Sequence, residues 1–344
     1  MPRVHWRLPL LALAIWGLAD GALLAAQRPT PEVVIGSLEG DDDAFSEITD
    51  VLLVGDSLVL VLDRTEHVVR AFDRAGRLRW RYGRGGGGPG ELRWPSRLLK
   101  LRDHEVGIVD VARARTTVLS VSTDRARLVH EQAAPTEGPF ICGLGRLIAY
   151  SMTSSGGSSV SVIDSAGREI RKLKVATVGD SAALARDVVS NSPLGCIEGA
   201  RPRIVQVDPR SGVVTAAALS GAVLWRRAIT PFRGITVRST GPGSTFMALP
   251  PDGYHQPFPP IALPSGRLLL PIQERRVDSM DSTRRRVKFR TMSARVVVLD
   301  DASGAPREGI TLDGTLRAAS AGTIAVELDG EYPRLAVRRA AWAR

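Results

Sequence analysis

The chain has 344 residues, 44% of them hydrophobic, which excludes wholesale disorder and suits either two ordinary domains or one large all-β domain. Its 46 Lys and Arg against 36 Asp and Glu leave a formal charge of +10, yet the basic residues are almost all Arg, with Lys only at Lys100, Lys172, Lys174 and Lys288. Such a skew reads as a coding bias rather than a nucleic-acid footprint, so nucleic-acid binding is not expected, and an aromatic content of 5% speaks against a carbohydrate-stacking surface.

The first 26 residues have the composition of an export signal. Arg3 and Arg7 precede an apolar stretch from Leu8 to Leu18, and the small-residue run Ala22 to Ala26 offers a cleavage region before Gln27. The apolar stretch is short for a bilayer span and Asp20 follows it, so the expectation is a mature protein of residues 27–344, periplasmic or secreted, with no membrane span. An uncleaved anchor is the alternative.

From residue 68 to 95 the chain reads VVRAFDRAGRLRWRYGRGGGGPGELRWP. Two apolar runs flank the turn Asp73-Arg74-Ala75-Gly76; a glycine-rich loop closed by Pro89-Gly90 follows, and Pro95 opens a further apolar run. Strand, turn, strand and connecting loop is the natural reading, because glycine permits positive φ and proline presets a turn. The stretch resembles a blade junction of an NHL-type β-propeller, of the six-bladed kind found in exported bacterial proteins. Val69, Phe72, Asp73, Gly76, Gly83, Arg84, Gly85, Pro89, Gly90, Glu91 and Pro95 match the pattern, while Leu92 stands where it usually has an aromatic residue.

With that junction as a ruler, six units of short β-rich runs emerge. The first reads ITDVLLV, SLVLVLD, VVRAF and RLRWRY; the second SRLLKL, EVGIVD, TTVLSV and RARLVHE. The third has GPFICG, RLIAYS, SVSVID and REIRKLKV around the turn Asp164-Ser165-Ala166-Gly167, and the fourth PLGCIEG, RIVQVD, VVTAAAL and AVLWRRAI. The fifth has PIALP, RLLLPIQ and, after a long insertion, ARVVVLD and the turn Asp301-Ala302-Ser303-Gly304. The sixth offers GTLRAAS, TIAVELD and PRLAVRRAAW, then the chain stops one strand short. Val33 to Leu38 is the replacement, giving an all-β, six-bladed β-propeller whose N-terminal strand completes the last blade and removes its free edge. A pair of β-sandwiches is the alternative architecture. Only Ser181 to Val189 suggests a short helix.

Chemical motifs are sparse. Gly83 to Gly90 satisfies a loose G-x-G-x-x-G, but a strand-like segment follows where a dinucleotide fold needs a helix. His67, His104, His130 and His255 show no metal-ligand spacing, and Asp41, Asp42 and Asp43 read as a solvated acidic turn rather than a Ca²⁺ loop. No cofactor, metal site or catalytic cluster is expected. Cys142 and Cys196 are the only cysteines, and an exported chain permits a disulfide between them, placed on or beside the innermost strands of the third and fourth blades. Two reduced, buried cysteines are the alternative.

In such a ring the loops between blades and those joining second to third strands emerge on one face. The segments 177–192, 231–260 and 274–293 are of these kinds, and the same face carries Arg84, Arg113, Arg115, Arg275, Arg276, Arg284, Arg285 and Arg286. Two functions stay open. One is a monomeric, non-catalytic binding or scaffolding module that takes an anionic ligand or a protein partner on this face; the other is a channel-centred hydrolase or lyase acting on a small anionic substrate. Convergent His, Asp or Glu side chains on the innermost strands would favour the enzyme, and a channel lined by Ala, Leu and Gly the module.

Overall fold

The structure, a computed structural model, describes residues 31–343 apart from 39, 41, 56, 103, 136–139, 155–156, 174–191, 242–243 and 282–285. It is almost entirely antiparallel sheet. The first blade holds β2 (Asp50–Val54), β3 (Leu58–Asp63), β4 (Val68–Asp73) and β5 (Leu78–Tyr82), and the second β6 (Pro95–Arg102), β7 (Glu105–Asp110), β8 (Arg115–Val121) and β9 (Ala126–Ala133). The third is β10 (Ile141–Leu144), β11 (Leu147–Ser154), β12 (Gly157–Ile163) and β13 (Glu169–Leu173), and the fourth β14 (Leu194–Ile197), β15 (Arg203–Val207), β16 (Val213–Ala218) and β17 (Val223–Ala228). A separate hairpin, β18 (Thr236–Gly241) and β19 (Ser244–Ala248), precedes the fifth blade. That blade comprises β20 (Tyr254–Pro257) and β21 (Ile261–Ala262), both paired to β22 (Arg267–Asp281), then β23 (Arg286–Asp300) and β24 (Pro306–Leu312).

The sixth blade joins both ends of the chain: β25 (Gly314–Ser320), β26 (Thr323–Leu328) and β27 (Arg334–Arg339) are completed by β1 (Pro31–Ile35). The closing strand lies slightly earlier than the run Val33 to Leu38. Gly36, at φ 119°, ends it, and a side chain there would meet the Pro333 carbonyl at 2.6 Å. The innermost strands β2, β6, β10, β14 and β21 neighbour one another in turn, and β25, which packs on β22 and β23 of the fifth blade, returns to β2, which closes a six-bladed β-propeller.

Middle strands read as continuous apolar runs because each is covered on both sides. In β3, Leu58, Leu60 and Leu62 pack against Leu98, Ile108 and Leu119 of the second blade. Val59 and Val61 point the other way, onto Ala325, Leu335 and Val337 of the sixth. Six such apolar layers, one per blade interface, make up the core; each fully buried Leu, Val or Ile contributes roughly 1.5–3 kcal/mol relative to an exposed one.

Polar side chains organise the turns. In the first blade the Asp73 carboxylate accepts the Ala75 and Arg77 N–H groups at 2.9 and 3.0 Å and Arg77 Nε at 2.8 Å; in the third, Asp164 repeats this with Ala166, Arg168 and Arg168 Nε at 2.9, 3.0 and 2.9 Å. In the fifth the acceptor is Asp300, one residue ahead of the turn drawn from sequence, and it takes the Ala302 and Ser303 N–H groups at 3.1 and 3.0 Å. Each turn leans on the preceding blade. Gly304, at φ 68°, is pressed against Trp225, whose ring a Cβ would meet at 2.4 Å, so only glycine fits. The fully buried Asp63 and Asp110 close β3 and β7 by accepting backbone N–H groups of the loop before their own blade, Ser46 at 2.8 Å and Arg93 at 2.6 Å.

The long segment between RLLLPIQ and ARVVVLD is not a loop insertion. β22 and β23 run on as 15-residue strands, forming an arm that extends beyond the blade. The expected helix at 181–189 lies outside the described residues.

Candidate functional site

Strands alternate in direction, so the connections between blades and those from second to third strand leave from one face. On it the structure places Arg84 in the loop after β5, Arg113 between β7 and β8, Arg115 at the start of β8, and Arg275 and Arg276 on the arm. Arg284 and Arg285 lie outside the described residues, and Arg286 opens β23 opposite Asp281.

The first three form one linked group. Arg84 pairs with Glu91 at 2.9 Å, Arg113 reaches the Glu91 carbonyl at 2.6 Å and Glu131 at 3.2 Å, and Arg115 meets Glu131 at 2.6 Å. The Glu91 carboxylate is held below its usual range by the Gly88 N–H and by Arg84. Burial works to raise Glu131, and the hydrogen bond from Arg115 with the charge of Arg113 outweighs it, so its net shift is downward. These arginines therefore brace the glycine-rich loop against the second blade. Sequence reading missed Glu91 and Glu131 as their partners because the fold of the glycine-rich loop and the register of β9 against β8 bring them together.

On the fifth blade the base of the arm is polar. His255 Nδ1 accepts the Arg233 N–H at 2.8 Å, which leaves Nε2 to carry the proton of the neutral ring, and burial followed by the charge of Arg295 lowers the pKa of the imidazole. Glu274, directly across from His255, is ion-paired with Arg233 and accepts from Ser293 Oγ at 3.1 Å. The hydroxyl thus serves the carboxylate rather than the imidazole, which is not the arrangement of a nucleophile and its base. Further out, the Arg275 guanidinium lies 4.9 Å above the Phe289 ring, and Arg290 pairs with Asp278 at 3.3 Å.

The central channel is a cavity of about 870 Å³ walled by the innermost strand of every blade. Leu52, Gly143, Ile261, Ala262 and Ala319 contribute apolar wall, as does the Cys142–Cys196 disulfide. Its charged residues are dispersed and mostly committed: Arg97 to Asp50 at 3.4 Å, Arg317 to Glu327 at 3.4 Å, Asp301 to Arg203 at 3.1 Å, and Glu198 to the Gly145 N–H at 3.0 Å. Lys100 is exposed. The described lining does not include Arg84, Arg113, Arg115, Arg275 or Arg276. Among the described residues no group of three or more His, Cys, Asp or Glu could hold a metal ion, and no helix is long and apolar enough to cross a membrane.

No family model matches the chain, and no curated protein matches it in sequence. Solved structures do match. A protein assigned as exported from Bacteroides fragilis NCTC 9343 superposes with a TM-score of 0.54 at 11% identity, covering 92% of this chain and 96% of its own. A member of the DUF4221 family from Bacteroides vulgatus gives 0.48 at 8% identity, over 91% and 99%; U3-55K gives 0.48 at 10%, over 90% and 100%. At such identities the first likeness shows the fold alone: a six-bladed, all-β ring built on the plan of the Bacteroides fragilis protein.

Proposed function

We propose that the protein is an exported, monomeric, non-catalytic binding module of the NHL-type propeller class, which takes an anionic ligand or protein partner on its loop-bearing, arginine-rich face. The observation that carries this reading is the arm of the fifth blade, which projects beyond its sheet and exposes Arg276 and Lys288 with no ion pair among the described residues. A rigid ring presenting extended cationic segments on one face suits recognition, since charge there attracts and orients an anionic surface. Residues 1–26 are the export signal in this proposal, with the mature chain beginning near Gln27 and acting in the periplasm or outside the cell.

The test is anionic-polymer binding at low salt. Replacing Arg284, Arg285 and Arg286 with Ser should weaken polyglutamate binding several-fold and flatten its salt dependence while leaving the melting temperature nearly unchanged. Insensitivity of that binding to the triple change would overturn the role of the arm's tip.

One observation favours the second reading, a hydrolase or lyase working on a small anionic substrate: the 870 Å³ channel, with Lys100 exposed along its wall. Filling the channel by Ala319→Trp should abolish any such turnover and spare polyglutamate binding.

A further inference from the structure

Beyond its pairing with the rest of the fifth blade the arm is a two-stranded ribbon with unlike faces. Cross-strand partners share a face, so the register sets Arg275 with Thr291 and Val277 with Phe289 on one side, and Arg276 with Arg290 on the other. Lys288, two residues from Arg290, lies on that second side. The first side is partly covered, the Phe289 ring meeting Tyr254 edge-on at a centroid distance of 6.2 Å. The second is exposed and basic. Asp278, which a bulge leaves without a cross-strand partner, neutralises Arg290, while Arg276 and Lys288 have no ion pair among the described residues. Like charges placed directly opposite weaken an antiparallel pair, so Arg276 against Arg290 is a cost to the hairpin itself.

The ribbon's edges are also open. β20 stops opposite Arg275 and β24 opposite Ala294, leaving the outer edge of β23 from Arg286 to Ser293 without a strand beside it among the described residues.

We propose that this edge receives an extended segment of a protein partner as an added strand, in which acidic residues alternate with apolar ones. The inference rests on the anionic-partner reading above and specifies the partner's chemistry. Alternate side chains of any β-strand stand about 6.8 Å apart. Carboxylates two residues apart on the added strand therefore come beside Lys288 and Arg290, and the apolar residue between them comes beside Phe289. Main-chain hydrogen bonds to the open edge hold the segment, and the alternation selects it. Charges on an exposed edge also discourage self-pairing; that role alone predicts aggregation when they are removed, not loss of a ligand.

Two labelled decapeptides of one composition separate these ideas by fluorescence anisotropy on the full mature protein, one alternating Glu and Val, the other carrying the same residues in Glu-Glu-Val-Val order. The alternating peptide should bind about ten-fold more tightly. Lys288→Ser with Arg290→Ser should bring it to the level of the other peptide without lowering the melting temperature, and Lys288→Arg should keep the preference. Equal binding of the two peptides, or a preference that survives the double change, overturns the added strand. Polyglutamate, measured in parallel, keeps the readings apart: if it binds while the peptides do not differ, the anionic face stands and the strand falls, and if it fails to bind, both fall.

Discussion

Cys142 and Cys196 lie with their Cα atoms 5.7 Å apart and their sulfurs bonded, tying the innermost strand of the third blade to that of the fourth across 54 residues of sequence. The separation is ordinary for a bridge, and it arises because β10 and β14 are neighbours around the channel. By the chain-entropy account, closing a loop of this length stabilises the fold by about 4 kcal/mol. Reduction, or Cys142→Ser with Cys196→Ser, should lower the denaturation midpoint accordingly, and protein purified without reductant should titrate no free thiol when unfolded. Two titrated thiols per chain would show that the bridge does not form.

Closure of the ring gives a second prediction. β1 covers the outer edge of β27, and its buried Ile35 joins the core between the sixth and first blades while Val33 packs on that core and touches Gly76. A chain shortened to begin at Ser37 should expose that edge, melt well below wild type and aggregate. Wild-type solubility and melting temperature in the truncated protein would contradict closure by this strand.

The indole of Trp225 donates to the Asp301 carbonyl at 3.0 Å, and Trp80 donates to Ser122 at the same distance, each fastening an outer strand to a turn of the next blade. Trp225→Phe should cost about 1 kcal/mol for the lost hydrogen bond, and Trp225→Ala about 3–5 kcal/mol as a cavity opens beside Gly304. Urea denaturation of the two variants checks both the order and the size of the effects.

Acid should loosen the turns. Asp300 is held down to about 2 by Arg307 and Ser303, and Asp164 lies below its usual value through the backbone and side chain of Arg168. Their folded pKa values are depressed against about 3.9 when unfolded, so their stabilisation is complete above that value and is lost as pH falls through the folded values, about 2 for Asp300. Asp164→Asn with Asp300→Asn should lower the melting temperature at pH 7, and the difference from wild type should shrink toward zero near pH 2. A difference undiminished at that pH would mean the bonds do not depend on the carboxylate charge.

Much of the ring was legible before any coordinates because its signals are local. Asp73 and Asp164 bond within five residues of themselves, so each turn can be recognised from its own stretch of chain. The double-sided burial of β3 is visible as an unbroken apolar run, and the missing last strand is visible as a count that needs completing. The arm's strand character was also in view: Arg286, Lys288 and Arg290 alternate with Val287 and Phe289, a period of two that the reading of 274–293 as a connecting segment passed over.

What the sequence by itself determined, then, is the plan: short strands, their turns, and an N-terminal strand to close the ring, because hydrophobic period and turn chemistry act over a handful of residues. Only the tertiary structure decided which of the basic residues are spent on the fold and which stay exposed. Arg113 and Arg115 converge on Glu131 of the neighbouring strand β9, and Arg84 on Glu91 across the glycine-rich loop, while Arg276 and Lys288 stay exposed on a ribbon face set by the register of β22 against β23. An ion pair depends on a separation of a few ångströms, and register and loop packing, not composition, bring two charges that close.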